Sequence, residues 1–254
     1  MTEAGSQPGP RHAGSAARLW DCASYYCVRP QDFWMLIAGG RTDARIAALE
    51  SAHGRRAAFE ALYDTSEDPW NTLDPRSSYQ DRKYRTVMAL LPPRRFARAL
   101  DLGCGLGTLS RLLSARADQV LGVDVAQTAV ERARHRHGGI PNLQFRQGDI
   151  ADLPGALEGG YDLITIMDTL YYLPSADDAA LADVADRIAG LLAPGGIVVL
   201  SNHLFAGGWD KATRLSRRIH CAFCCSPRLR LVSCHWHPFF QTTVLERRPA
   251  DGAA

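Results

Sequence analysis

The sequence lacks a long apolar run. In its first half the longest strongly apolar run is Phe33 to Ala38, six residues, whereas a membrane-spanning helix needs roughly 20. No basic segment followed by an apolar stretch and a small-residue cleavage site precedes that run, so we expect no secretory signal. We therefore predict a cytoplasmic protein with no membrane partner.

Lysine is scarce, and the charges nearly balance. Lys and Arg total 29 against 27 Asp and Glu, a net charge of +2, and the only lysines are Lys83 and Lys211. A basic face for nucleic acid is therefore not expected. The seven cysteines are odd in number and unevenly spaced, which excludes a small disulfide scaffold and favours free thiols in a reducing compartment.

One group of cysteines and histidines resembles a zinc site in its spacing. Zinc binds thiolates and imidazoles, often from closely spaced pairs. Only the first half of the group has such a pair, and neighbouring residues of a strand point to opposite faces. We predict no metal, and expect these side chains to pack as small hydrophobic groups. The residues are Cys221, Cys224, Cys225, Cys234, His235 and His237.

From about residue 95 onward, apolar strand-like segments alternate with helix-like segments. This alternation predicts an α/β fold: a Rossmann-like, doubly wound, mostly parallel sheet of seven strands with helices on both faces. The last two strands form an antiparallel C-terminal hairpin. We predict a core over 95–248, a helical segment over 43–94, a disordered or loosely packed extension over 1–42 and a disordered tail over 249–254.

The most informative motif is a glycine-rich turn after the first strand of the core. Gly103, Gly105 and Gly107 alternate there, and missing Cβ atoms let a backbone approach a ligand closely. A dinucleotide fingerprint needs glycine where Thr108 stands, and Asp101 would repel a pyrophosphate but attract a cation. No G-x-x-x-x-G-K motif is present, which excludes a phosphate-binding P-loop.

An acidic residue follows the second strand of the core, about 20 residues beyond the glycines. Asp124 ends the segment Val120 to Asp124, where a carboxylate can accept both hydrogen bonds of a ribose diol. The alternative is that Asp124 only caps the helix that begins near Ala126.

Four blocks in this order resemble the class I S-adenosylmethionine-dependent methyltransferases. They are D-L-G-C-G-L-G at 101–107, V-L-G-V-D at 120–124, F-R-Q-G-D-I at 145–150 and L-A-P-G-G at 192–196. The upstream segment from Phe59 to Tyr84 resembles the nodulation-protein-S-like branch, although that branch often has serine in place of Gly105. The resemblance implies that residues 43–94 cover the cofactor cleft.

The resemblance also implies which residues hold S-adenosyl-L-methionine. Asp124 would take the ribose hydroxyls, Asp149 and Ile150 would face the adenine, and Met167 and Asp168 would lie beneath the reactive sulfur. Lys83 or Arg82 would neutralise the cofactor carboxylate, unless both lie on a solvated helix face. The methionine end would be lined by Asp101, Gly103, Gly105 and Gly107, and the cofactor site would also include Cys104 and Val125.

Methyl transfer from a sulfonium needs alignment of the reacting atoms and no protein nucleophile. Amine and hydroxyl acceptors are helped by a base, and Asp168 and His203, which follow the fourth and fifth strands, are the predicted catalytic residues. The alternatives are a structural hydrogen bond for Asp168 and a partly exposed loop position for His203.

The sequence therefore predicts a methyltransferase acting on the N or O of a small-molecule or oligosaccharide-like acceptor. Two alternatives stay open: a non-catalytic cofactor-binding relative that acts through a protein partner, and an NAD(P)-dependent oxidoreductase. No N/D/S-P-P-Y/F stretch follows the fourth strand, which argues against a nucleic-acid methyltransferase.

Overall fold

A computed structural model describes residues 30–73, 78–152, 160–205 and 210–249, with side chains from residue 39 onward in the first range and from residue 79 in the second. Within these ranges none of the helices combines the length and apolar character needed to cross a membrane. Most of the predicted extension and the end of the predicted tail lie outside the described residues.

The described residues form seven α-helices and seven strands in the order that the alternation predicts. The helices are α1 (Pro30–His53), α2 (Arg55–Thr65), α3 (Ser78–Leu90), α4 (Thr108–Ser114), α5 (Gln127–His137), α6 (Asp178–Leu191) and α7 (Lys211–Cys225). The strands are β1 (Phe96–Leu102), β2 (Ala117–Asp124), β3 (Leu143–Gln147), β4 (Tyr161–Met167), β5 (Leu192–His203), β6 (Leu229–Trp236) and β7 (Phe240–Arg247). Short 3₁₀ turns follow β3 (Ile150–Asp152) and β4 (Leu170–Tyr172).

All seven strands belong to one sheet with the order β3-β2-β1-β4-β5-β7-β6. Strands β1 to β5 are parallel, and β7 runs antiparallel to both β5 and β6. The predicted Rossmann-like fold with an antiparallel C-terminal hairpin is therefore confirmed. The strand order reverses between β1 and β4, which is where open α/β sheets bind their ligands.

The sheet is buried on both faces. In β1 the side chains of Leu100 and Leu102 belong to one apolar cluster, and those of Phe96 and Ala99 belong to a second on the opposite face. Helices α6 and α7 cover the first cluster, whereas α3, α4 and α5 cover the second. Burial on both faces explains the continuous apolar character of the central strands.

The N-terminal helices begin earlier than the apolar pattern predicts. Helix α1 starts at Pro30, well before Asp43, and Gly54, with φ 81°, separates it from α2. The boundary predicted at residue 42 therefore lies inside a continuous helix, and the predicted division into domains otherwise stays a prediction. Because glycine adopts positive φ without strain, it suits this break.

Helix α2 is attached to the core by Glu60. Its carboxylate accepts hydrogen bonds from the backbone N–H groups of Gln127 (2.5 Å) and Thr128 (3.0 Å), the first two residues of α5. Those N–H groups have no partner within the helix, so Glu60 supplies from another helix the cap that α5 lacks locally.

We predict that Gly107→Ala destabilises the fold. Gly107 has φ 78°, and a Cβ there would lie 2.6 Å from Cζ of Phe145. Backbone strain and overlap together should lower the free energy of unfolding by about 1–3 kcal/mol, measured by chemical denaturation. In the control, Gly139→Ala, a Cβ would meet nothing within 4 Å, and stability should stay within about 0.5 kcal/mol. Equal effects of the two substitutions would contradict this account of the turn.

Candidate functional site

The glycine turn lies at the carboxyl end of β1 and is held by β2. The backbone N–H groups of Gly103 and Cys104 donate to the carbonyl of Val123 at 2.8 and 3.0 Å. Gly103 has φ 74°, and a Cβ there would overlap the side chain of Thr169. Gly103 therefore lets the backbone of the turn pack directly against Thr169 in the loop after β4.

Asp124 joins the glycine turn to the start of α5. Its Oδ2 accepts from the backbone N–H of Gly105 at 2.8 Å, and its Oδ1 accepts from that of Ala126 at 3.0 Å. Burial raises the pKa of Asp124, and these hydrogen bonds oppose the shift. Asp124 does therefore bind the N–H next to the helix start, yet each carboxylate oxygen retains a second lone pair for a ligand hydroxyl.

Asp101 is buried at the end of β1 beneath the turn. Its two oxygens accept from the hydroxyls of Ser110 (2.6 Å) and Thr165 (2.8 Å). Burial raises its pKa to about 6 despite those hydrogen bonds. A cation bound nearby would favour the ionised form, because opposite charges attract.

A cavity of about 850 Å³ opens over these loops. Its volume is near the upper end for ligand pockets, which suits two ligands side by side. The structure brings most of the predicted site residues to its wall. Those lining it are Asp101, Gly103, Cys104, Gly105, Asp124, Val125, Ile150, Met167, Asp168 and His203.

Three predicted cofactor residues are not among the residues that line the cavity: Gly107, Asp149 and Lys83. Gly107 faces Phe145 and His137, so it shapes the turn from behind. A Cβ on Gly107 would point toward these two rings, and that Gly107 lines the methionine end stays a prediction.

At the predicted adenine end, Asp149 is already engaged. Its Oδ1 accepts from the backbone N–H of Ala151 at 2.8 Å, and its Oδ2 forms an ion pair with Arg55 of α2. Arg55 also donates to the carbonyl of Tyr172 at 3.1 Å. Sequence reasoning missed Arg55, because nothing in a helical pattern shows which loop a charged side chain reaches.

At the opposite end, Asp168 binds several donors at once. It adopts φ 50°, and its Oδ1 accepts from the backbone N–H of His203 at 2.8 Å and from the hydroxyl of Tyr171 at 3.4 Å. Its Oδ2 forms an ion pair with Lys83. Lys83 is fully buried, so the alternative that it lies on a solvated helix face is wrong. Its partner is the carboxylate of Asp168.

His203 lies at the end of β5 with most of its side chain buried. Its Nε2 is 4.0 Å from Oδ1 of Asp210, a residue that also caps α7 by accepting from the backbone N–H of Thr213 at 2.8 Å. Burial lowers the pKa of His203, while the neighbouring carboxylates oppose that shift. A neutral imidazole in this place can accept a proton.

Aromatic rings and a further carboxylate edge the cavity beside this end. The hydroxyl of Tyr172 donates to Asp43 at 2.7 Å, and its ring packs against Phe59 and Trp70 with centroids 5.2 and 5.9 Å away. Asp43 and Asp210 are cavity residues that sequence reasoning missed. Each stands near the beginning of a predicted helix, where the pattern indicates only a cap.

The cysteines near the C-terminus do not pack as expected. Cys221, Cys224, Cys225 and Cys234 are exposed, because they lie on the outer face of α7 and on the edge strand β6. The sulfurs of Cys221 and Cys225 are 3.8 Å apart. Within the part of the chain that the structure describes, no three His, Cys, Asp or Glu residues are arranged to hold a metal ion. That the protein binds no metal stays a prediction.

Comparison with known proteins agrees with this geometry. Residues 99–196 match the methyltransferase domain family. This chain therefore contains a methyltransferase domain. It is 27% identical over 141 residues to nodulation protein S of Sinorhizobium fredii, covering 56% of this chain and 63% of that protein. It is 34% identical over 142 residues to trans-aconitate 2-methyltransferase of Deinococcus radiodurans, covering 53% and 50%.

A solved structure shows the same fold. The N-methyltransferase NodS of Bradyrhizobium japonicum WM9, in complex with S-adenosyl-L-homocysteine, superposes on this chain with a TM-score of 0.64 at 19% identity, covering 75% of this chain and 98% of that one. The resemblance to the nodulation-protein-S branch is thus confirmed. The match to the curated relatives spans only 50–63% of their lengths.

We predict that Asp101 makes stability depend on pH. Because burial raises its pKa from 3.8 to about 6, its neutral form stabilises the folded chain fully below pH 3.8, and that contribution is lost as the pH rises through about 6. Between pH 4 and 7 the free energy of unfolding of the wild type should therefore fall by about 1–3 kcal/mol relative to Asp101→Asn.

Denaturant titrations at several pH values provide the measurement. The exposed Asp118 on β2 gives the control, since Asp118→Asn should follow the wild type at every pH. If Asp101→Asn also followed the wild type, the carboxyl group would not be held in the environment described.

Proposed function

We propose that this chain transfers a methyl group from S-adenosylmethionine to a basic nitrogen of a small polar acceptor. The observation that carries this proposal is one continuous cavity. It joins the glycine turn and Asp124 to a chamber edged by carboxylates, aromatic rings and the imidazole of His203.

The donor end fits an S-adenosyl ligand by its own chemistry. Gly103 and Gly105 line the cavity without side chains, Asp124 offers free lone pairs to a ribose diol, and Asp101 offers a buried carboxylate to a cation. Ile150 and Val125 supply apolar walls at the predicted adenine end. When bound, S-adenosylmethionine supplies a methyl group activated by its positively charged sulfur.

The acceptor end favours a cation. Asp43, Asp168 and Asp210 line it, and Asp168 alone among them is paired with a lysine. The rings of Trp70 and Tyr172 give surfaces on which a cation or a sugar ring can pack. A polyanionic acceptor such as trans-aconitate would be repelled by these carboxylates, so an amine, including an amine on an oligosaccharide, is the better fit.

The chain has two tasks in the transfer. It holds the nitrogen in line with the methyl carbon and the sulfur, which supplies much of the rate. It must also leave that nitrogen unprotonated, since its lone pair forms the new C–N bond while the C–S bond breaks. We propose that the imidazole of His203 accepts the proton that the amine loses. Burial lowers the pKa of His203, so its imidazole is neutral and able to accept that proton.

We expect S-adenosylhomocysteine to bind the full-length chain with micromolar affinity, measured by isothermal titration calorimetry. Asp124→Ala should weaken binding by at least about tenfold, because it removes the ribose acceptor and releases the glycine turn. Asp118→Ala, on the exposed part of the same strand, is the control and should leave the affinity unchanged. An unchanged affinity for Asp124→Ala would show that this carboxylate is only a cap.

Acceptor class is tested with a donor that carries a labelled methyl group. We expect label to pass to members of a panel of amines, amino sugars included, and not to the matched alcohols or carboxylic acids. His203→Gln should lower the transfer rate about 10²-fold, a typical loss for a proton acceptor, with the S-adenosylhomocysteine affinity unchanged. Donor binding without transfer to any member would favour a non-catalytic relative, and enhanced NADH fluorescence on mixing would favour an oxidoreductase.

A further inference from the structure

Lys83 of α3 is a buried charge that the proposed transfer does not use. Its side chain has no exposure to solvent, and its Nζ forms an ion pair with Asp168. The rings of Tyr79 and Phe240 pack edge to face with centroids 5.8 Å apart, and both lie near the ammonium, with centroids 5.7 and 5.9 Å from Nζ. A buried ammonium destabilises the fold unless a negative charge lies beside it, and the carboxylate of Asp168 supplies that charge.

The carboxylate of Asp168 has no oxygen left without a donor. Oδ2 binds Lys83, and Oδ1 accepts from the backbone N–H of His203 at 2.8 Å and from the hydroxyl of Tyr171 at 3.4 Å. Asp168 also has φ 50°, a conformation that costs energy for a residue other than glycine and persists only where its surroundings fix it. Asp168 is therefore held in place as the acceptor for three donors of the protein.

We propose that Lys83 is a positioning residue that holds the carboxylate of Asp168 in place, so that Asp168 fixes the backbone of His203 and His203 is the proton acceptor. This inference rests on the proposed function, because His203 is the proton acceptor there. It replaces the predicted catalytic role of Asp168 with a supporting one, and the predicted contact of Lys83 with the cofactor carboxylate with a contact to protein.

The pair also balances the charge around the imidazole. The titratable groups that face His203 are Asp43 of α1, Lys83 of α3, Asp168 after β4 and Asp210 before α7. Three of these groups are carboxylates, and an imidazole surrounded by carboxylates alone would be held protonated. Because Lys83 offsets the charge of Asp168, it helps to leave His203 neutral and able to accept a proton.

The first experiment uses the scarcity of lysine. In the full-length chain labelled with ¹³C and ¹⁵N at lysine, only Lys83 and Lys211 give side-chain NMR signals, and Lys211→Arg assigns them. We expect Asp168→Asn to move the Lys83 signal and leave the Lys211 signal in place. Asp183→Asn, an exposed partner of Arg187 on α6, is the control. A Lys83 signal unmoved by Asp168→Asn would overturn the proposal.

The second experiment follows the titration of His203 in chain labelled with ¹³C at histidine, with His203→Gln for assignment. Lys83→Met should raise the midpoint of His203 by about half a unit or more, because Asp168 is then an unbalanced anion. Adding Asp168→Asn should return it toward the wild-type value. A midpoint that stays at the wild-type value in folded Lys83→Met would overturn the proposal.

If Lys83→Met does not fold, the single variant Asp168→Asn tests the proposal. It should lower the titration midpoint of His203, because it removes an anion and leaves the cation of Lys83. An unchanged midpoint would overturn the proposal. Neither experiment needs an acceptor, so a failure to transfer methyl groups to amines would count against the proposed function and not against the pairing of Lys83 with Asp168.

Discussion

The site depends on one carboxylate that holds two loops together. Asp124 binds the N–H of Gly105 in the glycine turn and that of Ala126 before α5. These loops follow neighbouring parallel strands, so their relative position fixes the floor of the cavity. A buried carboxylate is stable there because backbone donors replace the water that it has lost. Asp124 also lines the cavity, where we propose that a ribose diol binds.

The N-terminal helices fasten to the ends of three strands through three charged side chains. Glu60 caps the helix after β2, Arg55 binds Asp149 after β3, and Lys83 binds Asp168 after β4. Each of these strand ends belongs to a different part of the proposed site: the ribose end, the adenine end and the transfer end. The N-terminal helices therefore help to set the geometry of the proposed site.

Much of the core could be predicted from the sequence, because local signals fix it. Alternating apolar segments give the order of strands and helices, and positive φ at Gly103 follows from a sharp turn that no side chain fits. That Asp124 and His203 lie at one cavity could be predicted for the same reason, since residues at the carboxyl ends of parallel strands share one edge of the sheet.

The contacts of the cover could not be predicted, because they join residues far apart in the chain. The helix that holds Lys83 carries charges on several sides, and only the packed structure shows that this lysine is buried while Arg85 stays exposed. Likewise the sequence around Asp210 indicates only a helix cap, and Asp210 does cap α7. That its Oδ1 also lies 4.0 Å from Nε2 of His203 depends on how α7 packs beside β5.

The central claim is that the glycine turn and Asp124 together hold an adenosyl ligand. A crystal structure of the full-length chain grown with S-adenosylhomocysteine tests it most directly. We predict electron density for the ligand over Gly103 and Gly105, with both ribose hydroxyls within hydrogen-bond distance of Asp124 and the sulfur directed toward His203. A ligand bound elsewhere, or a ribose that does not contact Asp124, would contradict it.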